Sequence, residues 1–97
     1  MTTTEEIMEK LKAVKDPEVG LDVVALGLIR KITTDDDGTE VMMTLTSPFC
    51  PYADKLVREV EREAKKVEGA GHVRVEITFD PPWEPPEEVK AMMGLNG

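Results

Sequence analysis

Apolar positions recur along this chain in two periods, and the period changes where turn-forming residues intervene. Ile7, Leu11 and Val14 recur at helical spacing with Glu and Lys between them. Thr3 and Glu6 stand three apart, the spacing of a capping box. Pro17 stops this helix, because the residue before a proline is driven out of the α region, so Asp16-Pro17-Glu18 reads as a turn. Leu21 to Leu28 is largely apolar, broken by Asp22 and Gly27, and fits a short helical turn or a strand equally well. Leu28 to Thr34 is rich in β-branched residues and reads as a strand. Asp35-Asp36-Asp37-Gly38 is a hairpin signal. The return strand, Glu40 to Thr46, sets Val41, Met43 and Leu45 on one face and Met42, Thr44 and Thr46 on the other.

Ser47-Pro48-Phe49-Cys50-Pro51 cannot extend that strand, since neither proline has the donor a ladder needs. Pro51 suits the first turn of a helix, which the spacing carries to Glu68, with Leu56, Val60, Ala64 and Val67 as the buried stripe. Gly69-Ala70-Gly71 ends it. In the next strand Val73, Val75, Ile77 and Phe79 alternate with Arg74, Glu76 and Thr78. A stiff loop, Asp80-Pro81-Pro82-Trp83-Glu84-Pro85-Pro86, leads to a short last helix over Glu87 to Met93. The expected fold is a small α/β (α+β) domain, helix–hairpin–helix–strand–helix, with a three-stranded sheet covered by helices. It is a single domain over 1–97 with its core over about 4–93. The crossover makes the third strand parallel to the second. Whether it lies beside the first or the second is open.

At 97 residues the core is thin, so function is expected on a loop or at an interface. Twenty acidic residues against 12 basic ones give a formal charge of −8, which argues against nucleic acid and against an anionic membrane surface. The single cysteine allows no intramolecular disulfide and fits a reducing compartment. With no secretory pattern at the start and no apolar run of spanning length, the expected location is cytoplasmic.

Cys50 is the foremost candidate for chemistry. If Pro51 is the first helical residue, Cys50 is the N-cap, where free amides and the helix dipole favour thiolate, the form that attacks and binds metal. The plain alternative is a small buried hydrophobe. Thr44, Thr46 and Ser47 carry hydroxyls able to donate to a thiolate or to sulfide, although strand propensity alone also explains the threonines. No Cys-x-x-Cys exists, and no motif ties His72, the one histidine, to Cys50. One cysteine and one histidine do not make a four-ligand zinc site. Asp16 and Glu18, and Asp80 with Trp83, mark two acidic proline-stiffened loops. Their carboxylates are ligands or bases in one reading and turn organisers in the other. Trp83 is a lid over the core or an anchor for a partner.

Asp16-Pro17-Glu18, Leu26-Gly27-Leu28, Thr44-Leu45-Thr46-Ser47-Pro48-Phe49-Cys50-Pro51 and Asp80-Pro81-Pro82-Trp83 occur in the order seen in the metal–sulfur cluster biosynthetic family. The chain resembles that family, whose members include SufT-like and PaaD-like proteins and the cytosolic iron–sulfur targeting subunit, over about Ile7 to Met93. The resemblance implies an assembly or transfer factor for iron–sulfur proteins rather than a turnover enzyme. On it, the family cysteine falls on Cys50 as a transient, intermolecular ligand. The loop positions fall on Thr44, Thr46, Ser47, Pro48, Phe49 and Pro51, and the first acidic turn on Asp16 and Glu18. A transient iron–sulfur cluster is the implied cofactor, with none tightly bound. The implied partners are other assembly proteins, client apoproteins and, in many members, a second copy. Phe49 stands where a glycine is frequent, and Ala25 where a polar residue is usual. Two other readings stand beside this one: an interaction adaptor with Cys50 structural, and a single-thiol enzyme.

Overall fold

The structure, a computed structural model, describes residues 2–17, 19–46 and 51–92. Its elements are α1 (Thr3–Leu11), β1 (Ile29–Asp35), β2 (Gly38–Met43), α2 (Ala53–Lys65), β3 (Val73–Ile77) and α3 (Glu87–Met92).

The helix cap lies one residue earlier than the spacing suggests. Thr2 Oγ1 accepts from the Glu5 N–H at 3.2 Å, and the Glu5 carboxylate accepts from the Thr2 N–H at 3.3 Å. Thr2/Glu5 and Thr3/Glu6 are overlapping Thr-x-x-Glu frames, so pattern alone does not choose between them. α1 ends at Leu11, but the amides of Lys12, Ala13 and Val14 bond three residues back, a tightened turn that keeps Val14 on the core side.

The strand order is β1-β2-β3, with β1 antiparallel and β3 parallel to the central β2. The open question of strand order is thus answered: β3 lies beside β2. Thr39, Val41 and Met43 of β2 are buried, while Gly38, Glu40 and Met42 between them are partly exposed. One face of the sheet is therefore covered, by α1 and α2, which pack on each other and on β1 and β3. Ile7, Leu11, Leu26, Leu28, Leu56 and Val60 are fully buried in the shared core. The other face is polar. There Lys31 and Glu76 flank Met42, and Thr33 and Arg74 flank Glu40, with Arg74 and Glu40 forming an ion pair.

Several expected boundaries move. β2 stops at Met43 rather than Thr46, α2 starts at Ala53 with Tyr52 as N-cap rather than at Pro51 and ends at Lys65 rather than Glu68, and β3 ends at Ile77, short of Phe79. Pro51 is sterically compatible with a first helical turn, but Pro51-Tyr52 forms a turn instead. Beyond α2, Gly69 and Gly71 take φ +92° and +67°, as a chain reversing after a helix requires.

At the start of β2, Gly38 has φ +135° and lies against the His72 backbone. The Thr39 N–H donates to the His72 carbonyl at 2.7 Å, and Thr39 Oγ1 donates to the Ala70 carbonyl at 2.7 Å. This locks the hairpin to the end of the crossover. No helix among the described residues is long and apolar enough to cross a membrane.

Candidate functional site

Leu26-Gly27-Leu28 organises one end of the molecule. The stretch before it, ambiguous in sequence, is a single helical turn. Asp22 Oδ2 accepts from the amides of Val24 and Ala25, both at 3.0 Å, which caps the turn. Leu28 N–H donates to Val23 O at 2.9 Å, Gly27 N–H donates to Val24 O at 3.0 Å, and Gly27 has φ +72°. That is a Schellman termination, with Val23 and Leu28 supplying its buried apolar contact. Asp22→Ala is expected to cost about 1 kcal/mol, the usual value of a lost cap, read as a fall in the urea midpoint with unchanged slope.

This turn holds the neighbouring loops through its backbone. The Leu28 carbonyl accepts from the Thr44 N–H at 2.8 Å. The Leu26 carbonyl accepts from Trp83 Nε1–H at 2.7 Å. A Cβ on Gly27 would stand 3.3 Å from Pro86 Cγ, so the proline loop lies directly on the glycine. Arg30 Nη2 donates to the Pro81 carbonyl at 2.6 Å, while its buried Nε has no hydrogen-bond partner among the described residues. From β3 the chain continues alongside β2: Thr78 N–H donates to Met43 O at 2.9 Å, and the Asp80 amide turns back onto Thr78 Oγ1 at 3.2 Å. The Asp80–Pro81 peptide is cis. The segment 78–86 thus crosses from β3 to the Leu26–Arg30 side, over the carboxyl ends of β2 and β3.

The segment bearing Cys50 connects to this end of the sheet. Ser47, Pro48, Phe49 and Cys50 lie outside the described residues, as does Glu18. Their flanks are placed. Thr44 is fully buried, because past Met43 its amide turns to Leu28. That corrects the expectation of Thr44 on an outward strand face. Thr46 is half-buried, and Pro51 and Tyr52 are exposed. Since Tyr52 is the N-cap, Cys50 is two residues outside the helix, not its cap. The dipole argument for its thiolate weakens accordingly, since that field fades within a turn.

Asp16 is buried, its amide donating to Leu21 O at 2.9 Å and its carbonyl accepting from the Gly20 N–H at 2.8 Å. Asp80 is exposed, and Trp83 is half-buried against the core. His72 is exposed at the opposite end of β3, so parallel pairing separates it from the segment after β2 by the length of a strand. Among the described residues no three His, Cys, Asp or Glu side chains are grouped to hold a metal ion. Carboxylates with lowered pKa lie elsewhere, on α2, where hydrogen bonds from Lys65 and Lys66 hold Glu61 and Glu63 below the usual range. Sequence reasoning missed Asp22 and Arg30. Asp22, five residues ahead of a glycine between two leucines, was the readable signal. The 51-residue separation of Arg30 from Pro81 left none. Phe79, grouped with the core-facing positions of the third strand in the sequence, lies past the end of β3 and is 41% exposed at this same end, where Tyr52, to which the sequence assigned no role, is 38% exposed.

The chain belongs to the iron–sulfur cluster assembly protein family, whose model matches residues 4–77. A Bacillus subtilis protein named Fe-S protein maturation auxiliary factor YitW is 42% identical over 80 residues, covering 81% of this chain and 78% of that one. A Porphyromonas gingivalis protein named Fe-S protein maturation auxiliary factor is 39% identical over 84 residues, covering 86% and 80%. The solved structure of a conserved hypothetical protein from Thermotoga maritima matches with a TM-score of 0.84 and 44% identity, over 96% of this chain and 95% of that one.

Proposed function

We propose that this chain is an auxiliary factor in the maturation of iron–sulfur proteins, and that its working end is the one where segments 26–30, 44–46 and 78–86 meet. The observation that carries the reading is this convergence. Three of the four short motifs shared with the family are far apart in sequence, yet the Leu26 and Leu28 carbonyls bind Trp83 and Thr44 directly. Asp16, from the fourth motif, is buried in the loop leading into the same turn. The cluster is cargo. Clusters of this kind take four ligands, usually thiolates, and each chain brings one thiol. Cys50 therefore serves as one transient ligand while the client, another assembly protein or a small thiol completes the set. Thr46 and Ser47 supply hydroxyl donors to sulfur, Thr44 and Trp83 fix the frame, and Asp80 edges the surface. Asp16 shapes the turn behind it.

The test is cluster transfer to an apoprotein by intact protein and by Cys50→Ser. Transfer is expected to fall to the rate without factor, with the unfolding curve unchanged. Unchanged transfer removes Cys50 from the mechanism. Exposed Tyr52 and Phe79 favour a second reading, a docking module that brings clients to another carrier. In that case Tyr52→Ala lowers client binding and Cys50→Ser leaves both binding and transfer intact.

A further inference from the structure

β3 is an outer strand with half of its backbone groups unused by the sheet. The His72 carbonyl accepts from Thr39 and the Thr78 amide donates to Met43, so the even-numbered positions at both ends of β3 face β2. Backbone groups alternate sides along a strand. Arg74 and Glu76 therefore also bond toward β2. The N–H and C=O groups of Val73, Val75 and Ile77 point outward, where no strand pairs. Edges are commonly guarded by bulges, prolines or inward charges. The opposite edge, β1, has an irregular register between Ile29 and Lys31 and is met by Pro81 at Arg30. β3 has an unbroken register, no proline, and half-exposed Val75 and Ile77 on the core side.

We propose that this edge pairs antiparallel with the same edge of a second copy, about a two-fold axis at Val75. The segment Val73-Arg74-Val75-Glu76-Ile77 is self-complementary in that register. Val75 faces Val75 of the partner subunit, and Val73 faces Ile77 of the partner subunit. These are the hydrogen-bonded pairs, so every outward amide and carbonyl of β3 is used. Arg74 faces Glu76 of the partner subunit at a non-hydrogen-bonded position, where side chains approach most closely. On the polar face Arg74 then lies between its own Glu40 and that carboxylate.

Charge selects this register over its neighbours. A two-fold at Arg74 sets arginine against arginine, and one at Glu76 sets glutamate against glutamate, both unfavourable. Outward backbone groups only at odd positions exclude the registers between them. Such an isologous contact closes at two subunits. It also places the carboxyl ends of the two β2 strands, and with them Thr44, at opposite ends of the joined sheet.

The full chain is expected to sediment as a dimer. Arg74→Glu should weaken association about thirtyfold, as two attractive pairs become repulsive. The double variant R74E/E76R should restore it, although the pair with Glu40 stays lost, so recovery reports on the contact between subunits. In a Cys50→Ser background, Arg74→Cys chains mixed with Glu76→Cys chains should form a disulfide. Neither variant alone should do so, since only the mixed pair brings two thiols to facing positions. A monomer at the highest soluble concentration overturns the proposal. So does a dimer indifferent to Arg74→Glu, or a cross-link formed equally by one variant alone.

Discussion

Gly38→Ala is expected to destabilise the fold by about 3 kcal/mol or more, a large share of the ~5–15 kcal/mol available to a domain. Two terms combine. At φ +135° a side chain is strained whatever the space around it. The added methyl would also fall far inside contact distance of the His72 carbonyl oxygen and 3.0 Å from His72 N and C, all of them backbone atoms. Relief would have to separate β2 from the chain entering β3, breaking the bond from Thr39 to His72. Gly20→Ala isolates the first term: its φ is +81°, and nothing stands within 4 Å of an added Cβ. That variant should lose only about 1 kcal/mol. Urea unfolding of the pair decides the matter, because equal losses would show that close approach contributes nothing.

Trp83→Ala should be the most damaging change to the working end, at about 3 kcal/mol, the lower range for deleting a large aromatic since the ring is only half-buried. Trp83→Phe separates its two contributions. Phenylalanine keeps most of the packing but leaves the Leu26 carbonyl without its indole donor, a loss of about 1 kcal/mol. If the ring anchors segment 78–86, amide exchange at Gly27, Leu28 and Thr44 should quicken in Trp83→Ala and not in Trp83→Phe. Exchange unchanged in both would detach the tryptophan from the support of the turn at Leu26–Leu28 and of Thr44.

The sheet was legible because its signals are periodic and local. Val73, Val75 and Ile77 alternate without interruption, and Leu56, Val60 and Ala64 hold one helical face over a long stretch. Elements of a single turn were not. Between Asp22 and Gly27 the chain is too short for any period to develop, and its helical nature lies in two end signals, an acidic cap and a glycine stop. The start of α2 was misjudged because proline is allowed in a first helical turn without being required there. The site was legible as a set of segments but not as an assembly. What joins Leu26 to Trp83 and Leu28 to Thr44 is main-chain carbonyl chemistry, which leaves no mark on residue type.

The near approach of Thr3 to Gly69 has a practical outcome. Gly69 precedes the crossover's return into β3, so the amino-terminal helix begins beside the Gly38–His72 junction, at the far pole from Trp83. Anything attached ahead of Thr2, whether an affinity handle, a solid support or a fused neighbour, would leave the opposite pole unobstructed. α3, by contrast, begins directly after Pro86, which lies on Gly27, so a handle inserted at the start of that helix would sit on the surface where partners are to be sought.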